Sequence, residues 1–214
     1  MDMISDYIEY WQDRYDDIFK HLLDHIQISF LAIALAVIIT IPIAVFMTKM
    51  KSNFLRNSIF NIANILQTIP TIAMFALMIP LLGIGFKPAV LALFLYALLP
   101  LLRNTYSGMM SIDPDTVEAA KGMGYNKFQR IFKVELPMAF PYIMSGIRIT
   151  TVYIISWTTL AAVIGAGGLG DLVLSGIGLN NQQMIFTGTI LAVLLAVLLD
   201  LIFGKIERKF TINA

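Results

Sequence analysis

The sequence predicts an all-α membrane protein of five transmembrane helices, with one sizeable polar insertion between the third and the fourth. Three observations carry that prediction. Of 214 residues, 58% are hydrophobic and only 14% charged, where a soluble domain carries roughly a quarter charged residues. Mean hydropathy is accordingly +0.78. Five apolar runs are each long enough, at about 1.5 Å per residue, to cross a hydrocarbon layer of roughly 30 Å, the third only just. Lysine and arginine, finally, gather in alternate connections between those runs.

The chain opens on a polar, acidic segment, residues 1–24, carrying Asp2, Asp6, Glu9, Asp13, Asp16, Asp17 and Asp24. It has no basic start, short apolar run or small-residue cleavage site, so it reads as part of the mature protein rather than as a signal peptide. Tyr7, Tyr10, Trp11 and Tyr15 recur near helical spacing, as aromatics do in an anchor at the membrane–water interface. His21 and His25, four apart, have no third ligand nearby and read as a surface pair rather than a metal site.

The first span is expected over residues 25–48, the second over 58–82 and the third over 86–102. The fourth is expected over 139–164 and the fifth over 184–204, followed by a tail at 205–214. Pro42, Pro70, Pro80 and Pro100 fall in or near these runs; a bundle tolerates them because neighbouring helices, hydroxyls and water re-satisfy the freed backbone groups. Lys49, Lys51 and Arg56 follow the first span, Arg103, Lys121, Lys127, Arg130 and Lys133 the third, and Lys205, Arg208 and Lys209 the fifth. The turn after the second has only Lys87, and the Gly-rich stretch after the fourth has Asp171 and no cation. The positive-inside bias therefore predicts an external N-terminus and a cytoplasmic C-terminus.

The insertion, residues 113–137, is then cytoplasmic. Asp113-Pro114 suits an N-cap followed by proline in the first turn. Asp115 and Glu118 have capping-box spacing, and Gly122 and Gly124 suit a helix end. A second short helix can start at Asn126, with Phe128, Ile131 and Phe132 on one stripe. Leu136-Pro137 is expected to stop it and turn the chain back to the bilayer.

The spacing across this insertion resembles the signature of permease subunits of ATP-binding-cassette importers: Glu-Ala-Ala, three residues, Gly, nine residues, an aliphatic position, one residue, Leu-Pro. Glu118, Ala119, Ala120, Gly124, Leu136 and Pro137 match, and Val134 stands where isoleucine is usual. The resemblance runs from the first span through Glu207-Arg208-Lys209 and implies the type I importer permease fold. It also implies that the insertion is a coupling helix seated in a groove of an ATPase dimer. ATP and magnesium then belong to that partner, and this chain binds no cofactor and is not an enzyme. A second permease subunit, identical or homologous, completes the pathway, and an external or periplasmic binding protein supplies selectivity. Gln67-Thr68-Ile69-Pro70-Thr71-Ile72-Ala73 is similar to a stretch of glycine betaine, carnitine and choline permeases. Ile164–Gly170 is similar to their external turn but is shared with methionine-type permeases. The implied substrate is a quaternary ammonium osmoprotectant, with methionine or another amino acid as the alternative.

Gln67, Thr71, Phe75, Tyr153 and Trp157 are the candidate pathway-lining residues, since the aromatics can offer cation–π contact to a trimethylammonium group. Arg148 and Asp200 are conspicuous charges in apolar runs and a candidate ion pair. Other function classes find little support. Net charge is +1, which argues for no nucleic-acid partner. Without cysteine there is no disulfide or thiol chemistry. The glycines at 165–170 lack the strand context and Lys-Ser/Thr end of a phosphate loop. A secondary transporter usually needs internal repeats and a coupling-ion site, and a membrane enzyme needs converging titratable groups; the spans offer neither.

Overall fold

The computed structural model describes residues 3–211. Ten α-helices follow one another in that range, with no strand among the described residues. Helix α1 (Met3–Asp13) leads through a break at Arg14 into α2 (Tyr15–Thr48). At 34 residues, α2 is about 51 Å long at 1.5 Å per residue, well beyond a hydrocarbon layer of about 30 Å. It therefore begins ahead of the expected start at residue 25.

The expected second span is two helices, α3 (Asn53–Thr68) and α4 (Thr71–Leu82), bent by 102°. Pro70 disfavours helical geometry at the residue before it, and Ile69 and Pro70 are both extended, at ψ 128° and 138°. By length and composition this pair is either one broken span or a re-entrant loop. Helix α5 (Phe86–Met110) is the centre of the bundle. Its Ala89, Ala92, Leu93, Tyr96, Ala97 and Leu101 pack in one core with Ile28, Ala32 and Ala36 of α2, small residues letting the helix backbones approach.

The insertion forms α6 (Pro114–Gly122) and a four-residue α7 (Lys127–Arg130). Asp113 caps α6 by accepting from the Asp115 amide at 2.9 Å. The capping box lies in the second helix instead: the Asn126 side chain accepts from the Gln129 amide and the Gln129 side chain from the Asn126 amide. Leu136-Pro137 does not stop the chain. A π-helical turn, Ile131–Glu135, runs straight into α8 (Leu136–Thr158), and a 3₁₀ turn, Thr159–Ile164, extends α8 further. Pro137 has no N–H to give, and it follows directly on the π turn, where the Leu136 amide reaches back to Ile131 O. Lys127–Ile164 is thus one helical rod of 38 residues, where the sequence suggested a turn and a separate span. Helices α5 and α8 cross so closely that a Cβ on Gly108 would lie 2.5 Å from Tyr142 Cβ.

The Gly-rich stretch after α8 is likewise more than a loop. It holds a turn at Gly165–Gly168 and then α9 (Leu169–Leu179), an apolar helix packed on α10 (Gln182–Thr211). Asn181 starts α10 by accepting from the Met184 amide at 3.0 Å. Only 17% of the most apolar window of α10 is buried, against 56% for α5, so α10 presents most of its apolar surface outward from this chain.

Candidate functional site

Three groups of residues stand out, and the first is the insertion itself. Glu118 and Ala119 are exposed on α6 while Ala120 is buried beneath them. The bend to α7 is closed by the Gly124 amide donating to Lys121 O at 2.9 Å and the Tyr125 amide to Ala120 O at 3.1 Å. Gly124 has φ +83° and open space where a Cβ would be, so its glycine serves the backbone conformation and not a close approach. Met123, Phe128 and Phe132 are exposed by 68%, 75% and 66%. The result is a surface of small side chains and three apolar knobs beside Glu118, with Asp113 and Asp115 exposed at the start of α6 and Lys121, Lys127 and Lys133 exposed around it. Of the other motif residues, Leu136 is half-buried and Pro137 exposed on the first turn of α8.

The second group surrounds the α3–α4 bend. Gln67 Nε2 donates to Tyr96 O at 3.1 Å, and the Tyr96 hydroxyl donates to Ile69 O. That carbonyl sits at the end of α3, where helix geometry leaves it without an intrahelical partner. Tyr96 then packs on Trp157 at 4.8 Å between ring centroids, and Trp157 stacks on Tyr153 at 5.8 Å. Tyr153 is half exposed; Gln67, Thr71 and Trp157 are partly so. Phase along the chain does not place Phe75 with them. It is fully buried in the central core, because α4 turns it inward after the bend, and within this chain it faces no pathway. Tyr96, which ties the bend to the two aromatics of α8, is absent from the candidates named by sequence. Its signal would have been the orphan carbonyl that any Ile-Pro break creates.

The third group is ionic. Arg148 meets Asp200 through two parallel bonds, Nε to Oδ1 at 2.6 Å and Nη2 to Oδ2 at 2.8 Å, and reaches Glu207 with Nη1 at 3.2 Å. Gly204 lies directly beneath, its notional Cβ 3.2 Å from the guanidinium carbon. Nearer the insertion, Glu135 binds both Lys49 and Arg130.

At the opposite end His25 is not on the surface. It is 0% exposed, takes the Leu169 amide on Nδ1 at 3.3 Å and donates from Nε2 to Ile155 O at 3.1 Å. The tautomer is fixed by those two bonds, and the ring pins the glycine turn to α2 and α8. A Cβ on Gly168 would lie 3.2 Å from His25 Nδ1. Beside it, burial pushes the Asp171 carboxyl above its ordinary value, with His21 drawing it down and Asp24 adding to the rise. Most hydroxyls of α8 are committed to their own helix: Thr150, Thr151 and Thr158 each donate to the carbonyl four residues back. They therefore offer a solute less than their number suggests.

Residues 40–212 match the family described as binding-protein-dependent transport system inner membrane component. The chain is similar to the choline transport system permease protein OpuBB of Bacillus subtilis, with 40% identity over 95% of this chain and 93% of that protein. It is similar also to the glycine betaine/carnitine/choline transport system permease protein OpuCB of the same organism, with 42% identity over 88% and 86%. Among solved structures it is similar to a chain of the MetNI methionine ABC transporter in an inward-facing conformation. The TM-score is 0.81 at 24% identity, covering 90% of this chain and 95% of that one.

Proposed function

Because this chain belongs to the family of binding-protein-dependent transport system inner membrane components, we propose that it is the permease subunit through which an ATP-driven importer takes up quaternary ammonium osmoprotectants. Glycine betaine, carnitine, choline or a close relative is the substrate. The observation that carries the substrate class is the likeness, over nearly the full chain, to relatives named for those solutes. The methionine transporter shares the fold at lower identity, and that likeness speaks for the fold alone.

The chemistry around the bend supports the same reading. A fixed positive charge is costly to bring into hydrocarbon, so such solutes need a protected route. Tyr153 and Trp157 offer aromatic faces to a trimethylammonium group, and Gln67 and Thr71 offer polar contact beside them. The route is completed by a second permease subunit, identical or homologous, since five apolar segments are few to enclose it. Binding there is transient, because selectivity belongs to a separate substrate-binding protein.

The α6–α7 element is the coupling helix region, docked in the ATPase dimer through Glu118, Ala119 and the exposed apolar knobs. Leu136 and Pro137 join it to α8. ATP and magnesium are bound by that ATPase and not by this chain. Because Lys127–Ile164 is one rod, displacement of the docked element is carried into the bundle without an intervening loop, as alternating access requires. The Arg148–Asp200 pair braces α8 against α10 during that motion.

In the cell membrane the N-terminus lies outside and the C-terminus inside. Cysteines placed singly at Gln12 and Lys205 of this cysteine-free chain test that orientation. An impermeant thiol reagent on intact cells should label position 12 and spare position 205; the reverse pattern overturns the topology. For the substrate class, cells lacking this gene should lose part of their labelled glycine betaine accumulation in high salt while methionine uptake is unchanged. The opposite pattern moves the assignment to amino acids.

A further inference from the structure

The π turn Ile131–Glu135 ends on a carboxylate that the transport reading above does not use. Glu135 is 1% exposed, yet it lies between the insertion and the bundle, where a polar group would ordinarily be solvated. Arg130 Nε donates to its Oε1 at 2.8 Å, and Lys49 Nζ donates to its Oε2. The two cations come from different elements. Arg130 is the last residue of α7, whereas Lys49 is the C-cap of α2, just ahead of the Ser52 that caps α3. Glu135 therefore ties the insertion to the corner between α2 and α3, and α3 leads directly to the bend at Ile69-Pro70.

The π turn is what gives the carboxylate this position. An extra residue in a helical turn rotates everything after it by about 100° relative to the residues before it. Here that rotation falls between the exposed Phe128 and Phe132 on one side and the buried Glu135 on the other. A carboxylate is costly to remove from water unless its oxygens are paired with good geometry. Both oxygens are paired, each to a different cation.

We propose that Glu135 is a positioning residue. With Lys49 and Arg130 it forms an ionic joint that transmits displacement of the α6–α7 element to α2 and α3, while the continuous rod transmits it to α8. Apolar contacts between helices are non-directional and slide; a doubly paired, buried carboxylate holds one register. The joint makes the two sides of the bend move together, α3 through Lys49 and Trp157 through α8. The inference rests on the reading that α6–α7 docks on the ATPase.

The test uses the whole importer, permease with ATPase and binding protein, reconstituted in proteoliposomes with labelled glycine betaine. Glu135→Gln should co-purify with the ATPase as wild type does and still hydrolyse ATP. Uptake should fall about tenfold, so ATP consumed per solute rises by the same factor. Lys49→Arg, which keeps the charge, should stay near the wild-type ratio. A wild-type ratio in Glu135→Gln overturns the joint, as does a parallel loss of hydrolysis and uptake, which marks a merely structural role. Should Glu135→Gln fail to assemble, the combination Lys49→Met, Arg130→Met and Glu135→Leu refills the site with no buried charge. That combination should assemble and be uncoupled, and full coupling in it overturns the proposal. The wild-type complex reports on the docking reading separately: uptake independent of ATP overturns that reading and the joint with it.

Discussion

Two ionic networks sit along the Lys127–Ile164 rod, and they differ in sign and in burial. Around Glu135 one carboxylate is shared by two cations, and its side chain is 2% exposed. Around Arg148 one cation is shared by two carboxylates, and Arg148 and Asp200 are 36% and 35% exposed. The bidentate geometry is better at Arg148, yet its groups are only partly covered within this chain. A charge enclosed by its own chain cannot be resolvated when it loses its partners, whereas a partly uncovered long side chain can carry its charged end toward the membrane surface. From that difference we expect the fold to depend more on the enclosed carboxylate than on the better-aligned pair.

The sharpest way to break that comparison is to remove the cations and leave the buried anion. Lys49→Met combined with Arg130→Met should destabilise the permease by about 3–5 kcal/mol, read as an earlier midpoint in denaturant titration of the detergent-solubilised protein. An unchanged midpoint would show that water reaches Glu135. Next in size is the converse change at the other network. Asp200→Asn with Glu207→Gln leaves Arg148 without these two carboxylates but able to extend its stem toward water, so the midpoint should shift in the same direction by a visibly smaller amount. A shift as large as that of the first pair would equate the two networks and sink the argument from burial. Smaller still is Asp200→Asn alone, since Glu207 remains on Arg148; the midpoint should stay within error of wild type.

The two networks also differ in how plainly they can be read from sequence. Arg148 and Asp200 are conspicuous because each interrupts an apolar run, and a charge there is costly enough to demand a partner. Glu135 hides among Arg130, Lys133 and Lys127 in a polar stretch, where a charge is ordinary. Its burial depends on a π turn that hydropathy does not encode. The same division holds elsewhere. Helices α2, α5, α8 and α10 are announced by their long apolar runs, and α6 by Asp113-Pro114. The 102° bend is not, because a hydropathy window averages straight across Ile69-Pro70. In sequence His25 looks like a surface residue because its partners, Ile155 and Leu169, lie 130 and 144 positions away. Tyr96 is hidden in sequence for a related reason: the carbonyl it satisfies is left free only once the bend has formed.

That bend supplies a neutral control for both ionic networks. Tyr96→Phe removes one hydroxyl from Ile69 O while keeping the ring on Trp157. With the bond to Ile69 O and the one with Thr71 both lost, it should cost on the order of 1–3 kcal/mol and lower uptake without altering ATP consumed per solute. A changed ratio would place coupling at the bend instead of at Glu135.

The central claim is that this chain is the conduit of an ATP-driven importer for quaternary ammonium solutes. Proteoliposomes holding the permease and its ATPase, supplied with the cognate binding protein, test it most directly through accumulation of labelled glycine betaine, carnitine and choline against labelled methionine. The account predicts accumulation of at least one of the three quaternary ammonium solutes, dependent on ATP and on the binding protein, with methionine excluded. Accumulation without ATP, or of methionine in their place, would contradict it.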